Sequence, residues 1–152
     1  ASGFTINAET VSAADINLEG GLGLWDDLVI RKAEGELDYA MCANSTNSLG
    51  CLAASESAGR TDYKVFGIDD EADQLAALTK ENSIYYATVA QNPFEIGVQV
   101  MEAAVHAVEG QDDGIVKVDG ILVTRDTVQE YMANREKSLE ELKDYLAIIT
   151  AS

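Results

Sequence analysis

Ile84-Tyr85-Tyr86-Ala87-Thr88-Val89-Ala90-Gln91-Asn92-Pro93-Phe94-Glu95-Ile96-Gly97 is the stretch on which the fold turns. Its first seven residues are rich in β-branched and aromatic side chains and predict a strand over 84–90. Pro93 then sits where a first-turn proline belongs. Phe94, Gly97, Val98, Met101, Ala104, Val105 and Val108 recur at helical spacing, and Gly110 stops the helix they predict. The unit is strand, two-residue turn, helix. Working upstream, the same unit recurs twice. A strand over 63–68 precedes a helix over about 70–80, with Leu75 and Leu78 on one side. A strand over 38–43 precedes a small-residue helix over about 46–57, ended by Gly59. Strands alternating with helices across short connections predict the α/β class with a mostly parallel sheet, helices on both faces and three layers in all. All 152 residues are expected to form one domain.

Downstream, 115–118 and 121–124 flank Asp119-Gly120 and predict a hairpin. A long helix over about 126–149 closes the chain, with Asp126 or Thr127 as its cap. Upstream of residue 38, Thr10–Ile16 predicts a strand, Gly20, Gly21 and Gly23 a loop, and Leu24–Ala33 a helix. These glycines match neither a dinucleotide fingerprint nor a phosphate-binding loop.

Apolar residues make up 47% of the chain and charged residues 24%, values of an ordinary folded domain. The formal net charge of −17 repels nucleic-acid phosphates and anionic membrane surfaces, so neither is expected as a partner. No apolar run approaches the roughly 20 residues that span a bilayer. The chain begins at Ala1 without an initiator methionine, so it is expected to be a processed product or a fragment. Cys42 and Cys51 read as two small buried side chains, with a disulfide across the strand–helix turn as the alternative.

Nothing points to catalysis. The one histidine, His106, falls beside Glu102 and Glu109, away from the apolar stripe, and reads as a solvated surface residue. Asp26-Asp27, Asp69-Asp70 and Asp112-Asp113 lack calcium-loop spacing, so no metal and no cofactor are expected. A ligand crevice is another matter. Asn44, Asp69 and Gln91 each stand just after a predicted parallel strand, and open α/β sheets bind ligands outside those strand ends. Amides supply donors and acceptors, and a carboxylate accepts several hydroxyl protons, a set suited to a polyhydroxylated neutral molecule. Each has a structural alternative, because Asn and Asp after a strand also cap helices. Capping and binding stand side by side for Asn44. Asp70 is available to cap in place of Asp69, and Asn92 in place of Gln91.

The same residues carry a resemblance. Ala43-Asn44-Ser45-Thr46-Asn47-Ser48-Leu49-Gly50 is similar to the Asn-Asp segment of type I periplasmic sugar-binding proteins, the ribose-binding and lac-repressor-like family. Gly67-Ile68-Asp69-Asp70 resembles that family's Gly-hydrophobic-Asp segment. Ala87-Thr88-Val89-Ala90-Gln91-Asn92-Pro93 through Gly97 resembles its Ala-Thr-Val-x-Gln-x-Pro-x-x-x-Gly segment, the most specific piece. Leu122-Val123-Thr124 resembles its closing strand. Order and spacing agree over about 37–127, and Gly3-Phe4 resembles a Gly-Phe element upstream.

The resemblance implies the carboxyl-terminal lobe of a two-lobed clamshell. It implies a non-catalytic solute-binding protein, periplasmic or lipid-anchored, that delivers a sugar to the membrane permease of an ABC importer. It implies sugar contacts from Asn44, Asp69 and Gln91, with Trp25 as a candidate stacking ring at the start of its helix. Ser45 replaces the family's aspartate and can donate and accept without charge. The first lobe is missing, and the helix over 93–109 would cross to it in a complete member. The Phe94–Val108 face is therefore expected to pack back on its own domain, swap into a second copy, or meet a separate chain carrying the other lobe. Two other functions remain: the effector domain of a lac-repressor-type regulator, and an interaction module using the long last helix.

Overall fold

Asn17 starts the first helix. Its backbone is extended and its side chain accepts the Gly20 N–H at 2.8 Å, the arrangement of an N-cap. The computed structural model describes residues 8–13 and 15–150 of the chain. Helix α1 (Leu18–Arg31) therefore begins six residues before the expected Leu24, and Gly20, Gly21 and Gly23 lie inside it rather than in a loop. The reason is packing. Glycine costs a helix interior about 1 kcal/mol relative to alanine, but here it permits a close helix crossing. A Cβ on Gly21 would lie 2.7 Å from the Thr46 carbonyl oxygen, and one on Gly50 would lie 2.5 Å from the Gly21 carbonyl carbon. The strand expected over Thr10–Ile16 is absent among the described residues there. Gly3-Phe4 lies outside the described residues.

The next elements follow expectation: β1 (Tyr39–Met41), α2 (Ser45–Ser57), β2 (Lys64–Ile68), α3 (Ala72–Thr79), β3 (Tyr85–Ala90) and α4 (Pro93–Val108). Strand β4 (Ile121–Thr124) and α5 (Val128–Thr150) complete the chain. The sheet order is β1-β2-β3-β4; the first three strands are parallel and β4 runs antiparallel to β3. The expected hairpin does not form. Residues 111–120 are irregular, and 121–124 pair with the free edge of β3, from Ala87↔Thr124 to Ala90↔Ile121. That pairing buries Val123 completely, which a hairpin standing apart from the sheet could not do.

Helices α2, α3 and α5 pack on β2, β3 and β4 respectively, and α1 lies on α2. Between them sits one core that includes Trp25, Leu28, Val65, Leu75, Leu78, Tyr85, Val123 and Val128. Both cysteines are free thiols buried in it, and burial pushes the Cys51 thiol well above its ordinary value. The α/β class and mostly parallel sheet are as expected; the third layer is not seen among the described residues. The other sheet face carries Tyr39, Met41, Ile68, Tyr86 and Leu122 toward solvent, with half-buried Phe66 among them and the Tyr39, Phe66 and Tyr86 rings in tilted contact at 5.9 and 5.7 Å. Helix α4 buries no residue, so its stripe does not pack back on this domain; Met101 is 65% exposed and Val108 91%.

One arginine ties the first two helices together. Arg60, after α2, donates through Nη1 to the Val29 and Lys32 carbonyls (3.1 and 2.6 Å) and through Nη2 to that of Ala33 (3.2 Å). Val29 lies in the last turn of α1, Lys32 is its C-cap and Ala33 is the residue after it, so Arg60 serves carbonyls that the helix end leaves without intrahelical partners. Asp62 orients the guanidinium at 2.7 Å and also accepts the Gly35 N–H at 2.7 Å. The Arg60 guanidinium, then the Gly35 amide, hold the Asp62 carboxyl well below the usual carboxylate range. A depressed folded value stabilises the fold above the unfolded value of 3.8, and that contribution is lost as pH falls through the range below it. Denaturation midpoints measured from about pH 6 down to about pH 2 are therefore expected to fall less steeply for Asp62→Asn than for the parent. Equal slopes would show that this carboxylate contributes nothing.

Candidate functional site

At the carboxyl end of β2 the chain turns sharply. Asp69 has φ +81°, a conformation that few residues other than glycine adopt, and one that costs of order 1 kcal/mol or more. Its surroundings over-determine it. The Asp69 N–H donates to the Val89 carbonyl at 3.0 Å, and its own carbonyl accepts the Thr88 hydroxyl at 2.7 Å. Its carboxylate joins two other strand ends. Oδ2 accepts the Ser45 N–H at 2.9 Å, at the first turn of α2, and Oδ1 accepts from the Gln91 side-chain amide. The partial positive charge at the α2 N-terminus favours an anion at this position. Register explains the convergence: β2 and β3 pair in parallel up to Ile68↔Val89, so Asp69 and Gln91 leave the sheet side by side.

Asn44 is the N-cap of α2. Its Oδ1 accepts the Asn47 N–H at 2.9 Å and the Thr46 hydroxyl at 2.9 Å. The oxygen is thus committed to the helix, while Nδ2 donates to no other described residue. Ser45 enters through its backbone N–H rather than its hydroxyl. Two expectations about helix caps change. Glu71, not Asp70, is the N-cap of α3, its N–H donating to Gln74 Oε1 at 3.1 Å. Asn92 occupies the N-cap position of α4, but its side chain makes no cap hydrogen bond.

A crevice opens beside this cluster. It is lined by Asp69, Asp70, Glu71, Gln91, Pro93, Ile96 and Arg135. Asp69 and Gln91 lie in its wall; Ser45 reaches it only through the Asp69 carboxylate, and Asn44, bonded within the first turn of α2, is not in its lining. Trp25 does not reach it and is corrected: it is a core residue, 8% exposed. Because α1 starts at Leu18, Trp25 stands two turns in, on the buried stripe with Gly21, Leu28 and Val29. Arg135 was missed. It lies far along the chain, and the only local signal was its spacing of four from Tyr131, which puts both on one face of α5. His106 is half-exposed, with Nδ1 2.8 Å from Asp113, remote from the crevice lining. No group of three metal-ligating side chains occurs among the described residues. A second depression, wholly different in character, lies on the open sheet face between Met41, Phe66, Ile68, Val89 and Leu122.

Comparison with known proteins points one way. Residues 2–112 match the family described as the periplasmic binding protein domain. The ribose import binding protein RbsB of Salmonella typhimurium is 31% identical over 98 residues, which cover 64% of this chain and 32% of that protein. A solved ABC transporter solute-binding protein from Bacillus halodurans, with bound myo-inositol, is 30% identical with a TM-score of 0.66, covering 79% of this chain and 41% of that one. Another from Agrobacterium vitis, with bound allitol, reaches a TM-score of 0.75 at 23% identity, over 85% and 45% of the two chains, and so shows the shared fold. The chain thus spans about a third of its curated relatives and under half of these solved structures.

Proposed function

The chain belongs to the periplasmic binding protein domain family, and from that premise we propose that it supplies the carboxyl-terminal wall of a sugar-binding crevice in a solute-binding protein of an ABC importer. The observation that carries the proposal is the Asp69 carboxylate, held between the Ser45 N–H and the Gln91 amide where parallel strands end. Each carboxylate oxygen keeps accepting capacity for hydroxyl protons and Gln91 Oε1 accepts a further one, while Asn44 Nδ2, outside this lining, is left as a donor at the neighbouring strand end. The relatives' ligands and names (ribose, myo-inositol, allitol) belong to the same polyhydroxylated neutral class. They favour the importer over the regulator reading.

The proposed role is binding without chemistry, because release intact is what delivery to a permease requires. The work belongs outside the cytoplasm, at the permease's outer face. One lobe leaves a sugar half open to water, so tight binding belongs to the complete protein, with α4 running toward the second lobe.

Titration calorimetry of the complete gene product with monosaccharides, polyols and sugar phosphates tests the reading. A neutral sugar or polyol is expected to bind. Its phosphate ester is expected to bind at least about tenfold more weakly, because Asp69, Asp70 and Glu71 line the crevice against the single cation Arg135. Binding of a different solute class, with no response to any sugar, would overturn the assignment.

A further inference from the structure

Helix α5 does more than cover β4. Two of its residues, one turn apart, grip the loop that carries Asp69. The Tyr131 hydroxyl donates to Asp70 Oδ2 at 2.7 Å. Arg135 Nε lies 3.3 Å from the same oxygen, and its Nη1 donates to the Asp70 backbone carbonyl at 3.3 Å. Asp70 is therefore held by both its side chain and its main chain. The residue before it is the crevice carboxylate in left-handed conformation, and the residue after it caps α3. Arg135 also lines the crevice.

From this geometry we infer that Tyr131 and Arg135 are positioning residues: α5 braces the 69–71 loop and thereby presets the Asp69 carboxylate for ligand. A strained backbone persists only where its surroundings over-determine it. The bonds to Val89, Thr88, Ser45 and Gln91 fix Asp69 from the sheet side, and the α5 pair fixes the loop from the other. Tyr131 suits the task. Burial, then the Asp70 carboxylate, push its phenol above the ordinary value, so it remains a protonated donor at any physiological pH. Where Asp70 was expected to cap α3, it is instead the handle by which the last helix reaches the site. The inference rests on the sugar-site reading for its ligand consequence, and on geometry alone for the brace.

Amide hydrogen exchange in the chain reads the brace without any ligand. The reporters are the Asp69 N–H, bonded to Val89, and the Glu71 N–H, bonded to Gln74. Tyr131→Phe and Arg135→Ala are each expected to speed exchange at these two amides by about tenfold, the worth of one hydrogen bond to a charged group. Core amides of β2 and β3 are expected to stay unchanged, as is every amide in Glu136→Ala on the same helix. Unchanged exchange at 69 and 71 overturns the brace. So does an equal acceleration across the whole sheet, which would mean that α5 only stabilises the fold. In the complete gene product, Tyr131→Phe is further expected to weaken the sugar found by calorimetry several-fold. If exchange responds and no sugar binds even the parent, the brace stands and the sugar reading falls.

Discussion

Asp69→Ala is expected to remove measurable sugar binding by the complete protein and to lower the stability of the chain by about 2 kcal/mol. The two losses have separate causes. On the proposed sugar reading, binding fails because the carboxylate is the group offered to ligand hydroxyls at the strand ends, and truncating a central charged acceptor typically costs several kcal/mol in affinity. Stability falls because the Ser45 N–H and the Gln91 amide lose their acceptor, and because a β-carbon stays in left-handed backbone without the polar side chain that tolerates it. Asp69→Asn separates them. Asparagine is tolerated at positive φ and still offers one acceptor, so it should keep most of the stability while losing the charge. Urea denaturation and calorimetry on both variants provide the check. If Asp69→Asn bound sugar as tightly as the parent, the charge would have no part in recognition.

Gly50→Ala is expected to be among the most destabilising single substitutions in the chain, costing roughly 3 kcal/mol. The added methyl carbon would stand 2.5 Å from the Gly21 carbonyl carbon, 2.6 Å from the Leu22 nitrogen and 3.0 Å from the Gly21 oxygen. All three are backbone atoms, so no side-chain rotation relieves the clash. Helices α1 and α2 must move apart, and that loosens Trp25, Leu28, Cys51 and Ala54 in the shared core. The usual gain in helix propensity from glycine to alanine, about 1 kcal/mol, opposes this and is smaller. Gly23→Ala is the control: a Cβ there meets nothing within 4 Å, so the same substitution should be neutral or stabilising. Thermal or urea midpoints of the pair decide the matter. Equal midpoints would mean that the crossing tolerates a wider spacing.

The contrast between these two glycines shows why the amino-terminal third was hard to read from residues alone. Gly20, Gly21 and Gly23 look like a loop because local propensity counts their cost and cannot see the partner helix. The hairpin failed for a related reason. Asp119-Gly120 is a strong turn signal, but the vacant edge of β3 offered 121–124 a better partner and full burial for Val123. Trp25 followed from the misplaced helix start, which rotated it from the candidate site into the core.

By itself, the sequence determined the three parallel strands, the helices between them, and the three polar residues at the strand ends. These are local matters: β-rich runs, helical stripes and turn residues carry their own signal within about ten residues. It also determined the family, through the run from Ala87 to Gly97. Only the tertiary structure decided what each polar residue does there. It showed that the Asn44 oxygen serves the helix, that Ser45 contributes its backbone, and that the Asp69 carboxylate bridges two strand ends. It brought Tyr131 and Arg135 to Asp70 across more than sixty residues of chain, a contact that no local pattern encodes. The physical reason is that hydrogen bonds and close packing depend on which atoms meet, and only the folded register of strands and helices sets that.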